Sequence, residues 1–510
     1  MIDPANPDFT NTPVSAQRQR CDYAPAAAQA APVVTIVTPF FNTGAIFHET
    51  GQSLMQQSLQ QWEWLIVNDG STDAEALAVL ATYRQRDPRL RVIDLPSNAG
   101  SSAARNIGVT AARAALIAHL DSDDLMEPTT IEKWMWFLTS YPEYGAVGSH
   151  IVHFGAKQWL RNTSFEVGRA ILQDNLLGMR SMVRRAVHQA AGGFNEENRQ
   201  GLIDWEYWLR IAHAGYWGGS VPELLPWYRR RLHQGQTWPN WRPEGRKLLE
   251  QRMRRDYASL WQDGGFPQVQ QAAHLPYASA PSELPCANLL RKARPRLLVI
   301  CDGAILAEAI GAAQADYDVT VASTAAADGS WLAAVSRHTP DVFVLPNIVR
   351  LLDQPRLLRY LIASRQADAV VLDGSLMGHL LIPYLHAHFP ALPLVAVRRA
   401  AAEDDALSRL AVVYRPLNLA VAAEKHVKQW AAEGAGKTDE IVVQYAHLAD
   451  IISEAGAQRA HTRQPAFSVD TGQLCATQAV EYMRLAALLR ERPTAVSARR
   501  VLRARGPARS

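Results

Sequence analysis

Two α/β domains in succession are what this sequence predicts, and three features predict them. Short apolar runs alternate with longer segments of helical spacing. The runs lack the in-out alternation of a half-exposed sheet. A proline-rich stretch without periodicity then interrupts the pattern near the middle. At 510 residues the chain is also too long for one ordinary core.

The first apolar runs are VVTIVT (33–38), EWLIVN (63–68), LRVID (90–94) and ALIAHL (115–120). Each suits a strand buried on both faces. Between them, AIFHETGQSLMQQS and SSAARNIGVTAARA carry helical spacing. Strand, helix, strand in repetition predicts a parallel sheet. Ligands of such sheets sit beyond the carboxyl ends of the strands, and those ends here carry Thr38, Asp69, Asp94 and Asp121.

After residue 240 the chain turns basic and helical (EGRKLLEQRMRRDYASLW). From Gly264 it carries Pro267, Pro276, Pro281, Pro285 and Pro295 with no periodicity, the mark of a linker. A second α/β pattern follows in RLLVICD (296–302), YDVTVAS (317–323), DVFVLP (341–346), ADAVVLD (367–373), LPLVAV (392–397), LNLAVAA (417–423) and EIVVQYA (440–446). The expected limits are a disordered Ala- and Pro-rich lead-in over 1–31, a first α/β domain with a trailing helix over 32–262 and a linker over 263–295. A second α/β domain then covers 296–450, and a tail over 451–510 holds one helix, ATQAVEYMRLAALLRER, and a basic end.

Composition narrows the function classes. Lys and Arg number 52 against 49 Asp and Glu, which leaves no global electrostatic footprint for nucleic acid. Cys21, Cys286, Cys301 and Cys475 have neither CxxC nor metal-ligand spacing and read as free thiols in a reducing compartment. No basic-then-apolar leader opens the sequence, and no window of 18 apolar residues occurs. The expectation is a cytoplasmic protein, with peripheral contact at the inner face of the membrane left open.

The stretch AHLDSDDLMEP (118–128) holds the densest chemistry. Asp124 or Glu127 is placed to cap the helix that PTTIEKWMWFL begins, with Pro128 in its first turn. The alternative is a cation site: hard divalent ions take carboxylate oxygens and share them with substrate phosphates, and an Asp-x-Asp at a parallel strand end supplies such oxygens where ligands bind.

Four neighbouring segments bear on the choice: TPFFN (38–42), VNDGSTD (67–73), NAGSSAARNIGVTAA (98–112) and GGFNEE (192–197) ahead of DWEYWLRIAHAG (204–215). In this order and spacing, with DSDD, they resemble an inverting family-2 glycosyltransferase of the A-type fold, over roughly residues 32 to 240. The resemblance implies a Rossmann-like nucleotide-sugar-binding domain of a hexosyltransferase. Its donor would be a nucleoside-diphosphate sugar, UDP-sugar foremost, its cofactor Mn²⁺ or Mg²⁺, and its acceptor a glycan or lipid-linked glycan in polysaccharide biosynthesis. It places Thr38, Pro39, Asn42, Asp69, Arg105 and Asp121 against the donor, Asp123 on the metal, and Asp204 as general base.

Two departures stand out. The family's base usually follows an acidic residue, whereas Ile203 precedes Asp204, so Glu206 stays open as an alternative base. The family's Tyr-Arg-x-His element appears as WYRRRLHQGQTW; His233 matches its metal-side end, and Arg229, Arg230 and Arg231 compete for the diphosphate.

Residues 296 to about 446 resemble, through RLLVICDG, TPDVFVLP and SRQADAVVLDGSLMGHLLIPYLHAHFP, the acceptor-side half of a B-type, family-4 glycosyltransferase. DGAILAEA stands where that family carries adjacent glycines, and too little chain follows for a donor half. The implied role is binding an acceptor glycan, a partner or a second copy of the chain. Two other readings compete for the first domain. A nucleotidyltransferase needs a glycine-rich basic loop after the first strand, which TPFFNTGA does not supply. A catalytically inactive nucleotide-sugar-binding scaffold is the second, left open by Ile203 and the arginine-rich loop.

Overall fold

The structure, a computed structural model, describes residues 1–15, 31–199, 201–231, 243–269, 286, 294–303, 307–375, 377–378, 381–397 and 419–421. It divides into two units, Met1–Ala273 with Pro285–Arg291, and His274–Leu284 with Lys292–Ser510.

In the first unit β1 (Val34–Phe40), β2 (Trp62–Asn68), β3 (Leu90–Asp94) and β4 (Leu116–His119) run parallel in the order β3-β2-β1-β4. β2 is buried throughout and β1 nearly so, as uniformly apolar runs require. The connecting helices are α1 (Phe47–Met55), α2 (Ala74–Tyr83) and α3 (Ser101–Ala111). α2 starts where Asp73 Oδ1 accepts the N–H of Ala76 at 2.8 Å, an N-cap bond.

The sheet continues in a way the apolar pattern did not announce. β5 (Leu125–Met126), β6 (Ala146–Gly155), β7 (Trp159–Arg161), β8 (Ser181–Arg184) and β9 (Gly218–Arg230) extend it past β4 in the order β8-β6-β9-β5, with β7 on β6. β8 is antiparallel to both β4 and β6, while β6 and β9 run parallel. α4 (Thr130–Ser140), α5 (Arg185–Ala190), α6 (Ile203–His213) and α7 (Pro243–Asp256) complete the unit. Trp205, Tyr207, Trp208, Leu209 and Ile211 of α6 pack into the core with Phe165, Val183 and Trp217.

The expected disordered lead-in needs correcting over residues 1–15. Ile2 is buried among Leu125, Val152, Phe154, Leu224 and Trp227, with Phe9 and Val14 packed partly against the same cluster. These apolar side chains cover a face of β5, β6 and β9 that would otherwise meet water.

The second unit holds β10 (Arg296–Cys301), β11 (Asp318–Ser323), β12 (Val342–Val344), β13 (Ala369–Asp373), β14 (Leu394–Val397) and β15 (Leu419–Val421). All are parallel, in the order β12-β11-β10-β13-β14-β15. The order reverses between β10 and β13, the doubly wound arrangement. The expected strand at 440–446, the tail from 451, Cys21 and Cys475 lie outside the described residues; Cys286 and Cys301 are free and buried. Among the described residues no helix is long and apolar enough to cross a membrane.

One glycine fixes the loop leaving β2. Gly70 has φ +66°, and a Cβ on it would lie 2.5 Å from the backbone carbon of Ser97. Gly70→Ala should therefore cost about 1–3 kcal/mol, read as a lower denaturant midpoint with an unchanged slope. An unchanged midpoint would show that the two loops part without cost.

Candidate active site

The loops beyond β1 and β2 are tied together before any ligand is considered. Asn42, at φ +48°, accepts the N–H groups of Thr72 and Asp73 on Oδ1, at 2.9 and 3.0 Å. Its own N–H donates to Ser71 Oγ at 3.0 Å. Asn42 Nδ2 makes no hydrogen bond among the described residues. Asp69, nearly buried, accepts the N–H groups of Ala99 and Gly100 at 2.6 and 3.0 Å and so holds the entry to α3.

Thr38 is a correction. It is fully buried and its hydroxyl accepts from Trp64 Nε1 at 2.8 Å, so its side chain braces the sheet and does not face a ligand. Pro39 remains half-buried within β1, beside Val67.

The three aspartates of DSDD do not cap α4, whose N-cap Thr129 makes no side-chain cap bond. Arginines hold them instead. Asp121 accepts from Arg105 on Oδ1 and from Arg180 Nη2 on Oδ2, the latter at 2.9 Å. Asp124 accepts from Arg180 Nε and from the backbone N–H of Arg229. Asp123 Oδ2 lies 3.0 Å from Arg231 Nε in an ion pair, while Asp123 Oδ1 has no partner among the described residues. Arg105, expected beside the nucleotide base, is thus committed to Asp121.

Burial and charge then compete at each carboxylate. Burial raises Asp121, but Arg105 and Arg180 outweigh it and hold the group below the ordinary aspartate value. Burial raises Asp123 despite Arg231. Burial pushes Asp124 up to about 8 against the pull of Arg180, and the charges of Asp123 and Asp121 add to the push. Arg180, which no sequence motif marked, is nine-tenths buried or more, and Asp124 and Asp121 hold it firmly protonated against desolvation. Its guanidinium carbon also lies 3.6 Å over the Tyr228 ring.

The structure separates the three competing arginines at the end of β9. Arg229 Nε donates to the carbonyl of Asp123 at 2.8 Å, and its Nη2 pairs with Glu49 at 2.7 Å. Arg230 turns to the other face, over Tyr228 and Trp159. Arg231 reaches the carboxylate of Asp123. His233 lies outside the described residues.

The first turn of α6 separates the two candidate bases. Leu202 enters it at φ +52°, a strained conformation for a branched side chain. Asp204 follows, half-buried, accepting from Asn175 Nδ2 and the Trp205 N–H on Oδ1, at 3.0 and 2.9 Å. Its Oδ2 has no partner among the described residues. Burial raises Asp204 above the ordinary value; the Trp205 N–H and the charge of Arg180 oppose the rise, and the charge of Asp121 adds to it. Glu206 points elsewhere: buried, it accepts from Arg210, Tyr257 and Asn195 on Oε1. The geometry favours Asp204.

Carboxylates at the end of a parallel sheet, with an acid on a neighbouring helix, agree with what comparison finds. Residues 35–193 match the model of Glycosyl transferase family 2. The N-terminal region therefore carries a family-2 glycosyltransferase domain. The chain is 36% identical over 107 residues to the "Putative teichuronic acid biosynthesis glycosyltransferase TuaG" of Bacillus subtilis, which is 21% of this chain and 42% of that protein. It is 35% identical over 116 residues to an uncharacterized protein of Sinorhizobium fredii, 22% of this chain and 13% of that one. The chain thus spans less than half the length of these curated relatives. Among solved structures it is similar to S. aureus TarS in complex with UDP-GlcNAc, at 16% identity and a TM-score of 0.37, covering 44% of this chain and 72% of that one.

A divalent cation is the cofactor that a family-2 domain of this kind implies. Among the described residues no three His, Cys, Asp or Glu side chains converge on one point. Asp123 Oδ1 is the open oxygen of DSDD. A single carboxylate oxygen suits a Mg²⁺ or Mn²⁺ that draws its remaining ligands from substrate phosphates and water. The residues fit a cation that arrives with a diphosphate.

Removing Arg180 should test the charge balance. Arg180→Met leaves Asp124 buried without its counter-charge, at a cost of about 3–5 kcal/mol. Because folding raises Asp124, its ionised form opposes folding, and that penalty lifts as pH falls through about 8. The loss of Tm in Arg180→Met should be larger at pH 9 than at pH 6, and Arg180→Met with Asp124→Asn should recover part of it. A deficit independent of pH would contradict the pairing.

Proposed function

We propose that the first unit is a cation-dependent inverting glycosyltransferase. It moves a sugar from a nucleoside-diphosphate donor, UDP-sugar foremost, to a hydroxyl of a glycan or lipid-linked glycan in the cytoplasm, in polysaccharide biosynthesis. The family-2 match and the similarity to the B. subtilis relative named for teichuronic acid biosynthesis support this reading. The observation that carries it is Asp204: a raised carboxylate with one open oxygen, under the influence of the charges of Arg180 and Asp121.

An acceptor hydroxyl is a weak nucleophile at neutral pH. In this mechanism Asp204 Oδ2 takes its proton as the oxygen attacks the anomeric carbon. The bond from that carbon to the diphosphate breaks on the opposite side, which inverts the centre. General-base help of this kind is worth about 10²–10⁴ in rate. Bound at Asp123, a divalent cation would offset the charge of the departing diphosphate. Arg231, already at Asp123, is one of the chain's own cations placed near that charge. Arg105, Arg180 and Arg231 are already paired with DSDD before donor arrives, and a diphosphate would add two or more negative charges beside them. Cation and nucleotide should therefore bind together. The second unit supplies none of these residues.

A panel of nucleotide sugars with Mn²⁺ or Mg²⁺, scored for diphosphate release with and without glycan acceptors, tests the activity. Asp204→Asn should lower transfer by at least ~10² with UDP affinity intact. Since Asp204 is raised, the acid limb of kcat/KM should lie above the ordinary aspartate value and disappear in the variant. The same shift means that ionised Asp204 opposes folding at pH 7 and ceases to at low pH. Asp204→Asn should thus gain more in Tm over the parent at pH 7 than at pH 4. Full activity in Asp204→Asn would remove the base assignment.

A further inference from the structure

Beside this site the sheet has a face that carries none of the residues assigned above to the donor. In register, Trp159 of β7 pairs with His153 of β6, and His153 with Tyr228 of β9. Three aromatic rings therefore lie side by side across three adjacent strands. Trp159 and His153 stack with centroids 3.8 Å apart and planes within 11°, and the His153 and Tyr228 centroids are 5.2 Å apart. Both His153 nitrogens are buried without a hydrogen bond among the described residues. Burial, aided by Arg161, Arg180 and Arg230, lowers His153 to about 3. It is a neutral ring in this ladder.

Arg161 and Arg230 stand two residues from Trp159 and Tyr228 on the same face but at opposite ends of the row, beside Ile151 and Gly155 of β6. The Arg230 guanidinium carbon lies 5.0 Å from the Tyr228 ring centre and 5.5 Å from that of Trp159. Arg161 donates to the carbonyl of Leu176 at 3.3 Å. Among the described residues neither arginine pairs with a carboxylate, whereas Arg105, Arg180, Arg229 and Arg231 all do. Trp159 is 37% exposed. The ladder leads to the base: Arg180 covers Tyr228 while bonded to Asp121, and both Arg161 and Tyr228 feel the charge of Asp204.

We propose that this face is the acceptor subsite, and that it takes a glycan unit bearing a carboxylate or phosphate. The C–H face of the sugar lies on Trp159, and its anion lies against the guanidinium of Arg230. A neutral glycan would use the ring but leave Arg230 without an anionic partner, so charge sets the preference. This inference rests on the assignment of Asp204 as base and deepens it by naming the acceptor class.

The test uses the full chain without donor. Calorimetry would measure binding of trigalacturonate, its neutral trimethyl ester and a glycerol phosphate trimer, with UDP and Mn²⁺ titrated separately. At least one anionic probe should bind about tenfold tighter than the ester; which one binds separates carboxylate from phosphate. Trp159→Ala and Arg230→Gln should each weaken that probe about tenfold, Arg230→Gln should bring charged and neutral probes toward parity, and neither should change the UDP titration. Equal binding of ester and acid by the parent, no binding of either anion, or full binding by both variants would overturn the proposal. The acceptor titrations decide it whether or not UDP binds, so a failed UDP titration counts against the donor reading alone.

Discussion

The guanidinium of Arg180 lies between Asp121 and Asp124 and over Tyr228, and the candidate site is arranged around it. Half-buried Asp121 and buried Asp124 stand three residues apart, with Asp123 adjoining Asp124, and their charges would repel without it. The same cation acts on Asp204 from a different element. Donor-side acids, the candidate base and the aromatic ladder thus share one positive charge. A buried pair of this kind is weak evidence for stability in itself, since desolvation consumes most of the Coulombic gain. What it does here is fix which carboxylate oxygens stay open. Asp121 has none to offer, while Asp123 and Asp204 each keep one.

The mixed half of the sheet makes this possible. The parallel strands β1 to β4 deliver DSDD to their carboxyl edge, as doubly wound sheets do. β8, antiparallel to β4, begins just after Arg180, so that Arg180 enters opposite the end of β4. β9 carries three successive arginines past the same edge, and strand alternation sends Arg229 and Arg230 to opposite faces. One faces Glu49 and the Asp123 carbonyl; the other faces the rings.

Much of this was legible in the residues, and the misses have physical causes. β1, β2 and β4 showed as apolar runs because they are buried along nearly their whole length, whereas β3 at the edge of the sheet is partly exposed. β6, β8 and β9 did not, since their buried positions hold polar and charged residues such as Ser149, His153, Ser181 and Glu223 among the apolar ones. Arg180 sits in GMRSMV with nothing local to distinguish it from a surface arginine; only the fold brings it to Asp121. Thr38 was misread because motif position says nothing of which way a strand side chain points. Asp204 and Glu206 were inseparable in sequence, yet two residues on a helix lie about 200° apart, so one faces the site and the other the Tyr257 side. The Ala- and Pro-rich composition of 1–31 reads as disordered, yet Ile2, Phe9 and Val14 pack residues 1–15 against the sheet.

The central claim is that arginines saturate DSDD except for one oxygen of Asp123, so that a divalent cation enters only with a diphosphate. Electron paramagnetic resonance of free Mn²⁺, titrated against the full chain with and without UDP, tests it most directly. The account predicts that the free-ion signal falls well beyond UDP's own chelation only when chain and UDP are both present, and that Asp123→Asn abolishes this loss. Tight Mn²⁺ binding without UDP, or undiminished UDP-linked binding in Asp123→Asn, would contradict it.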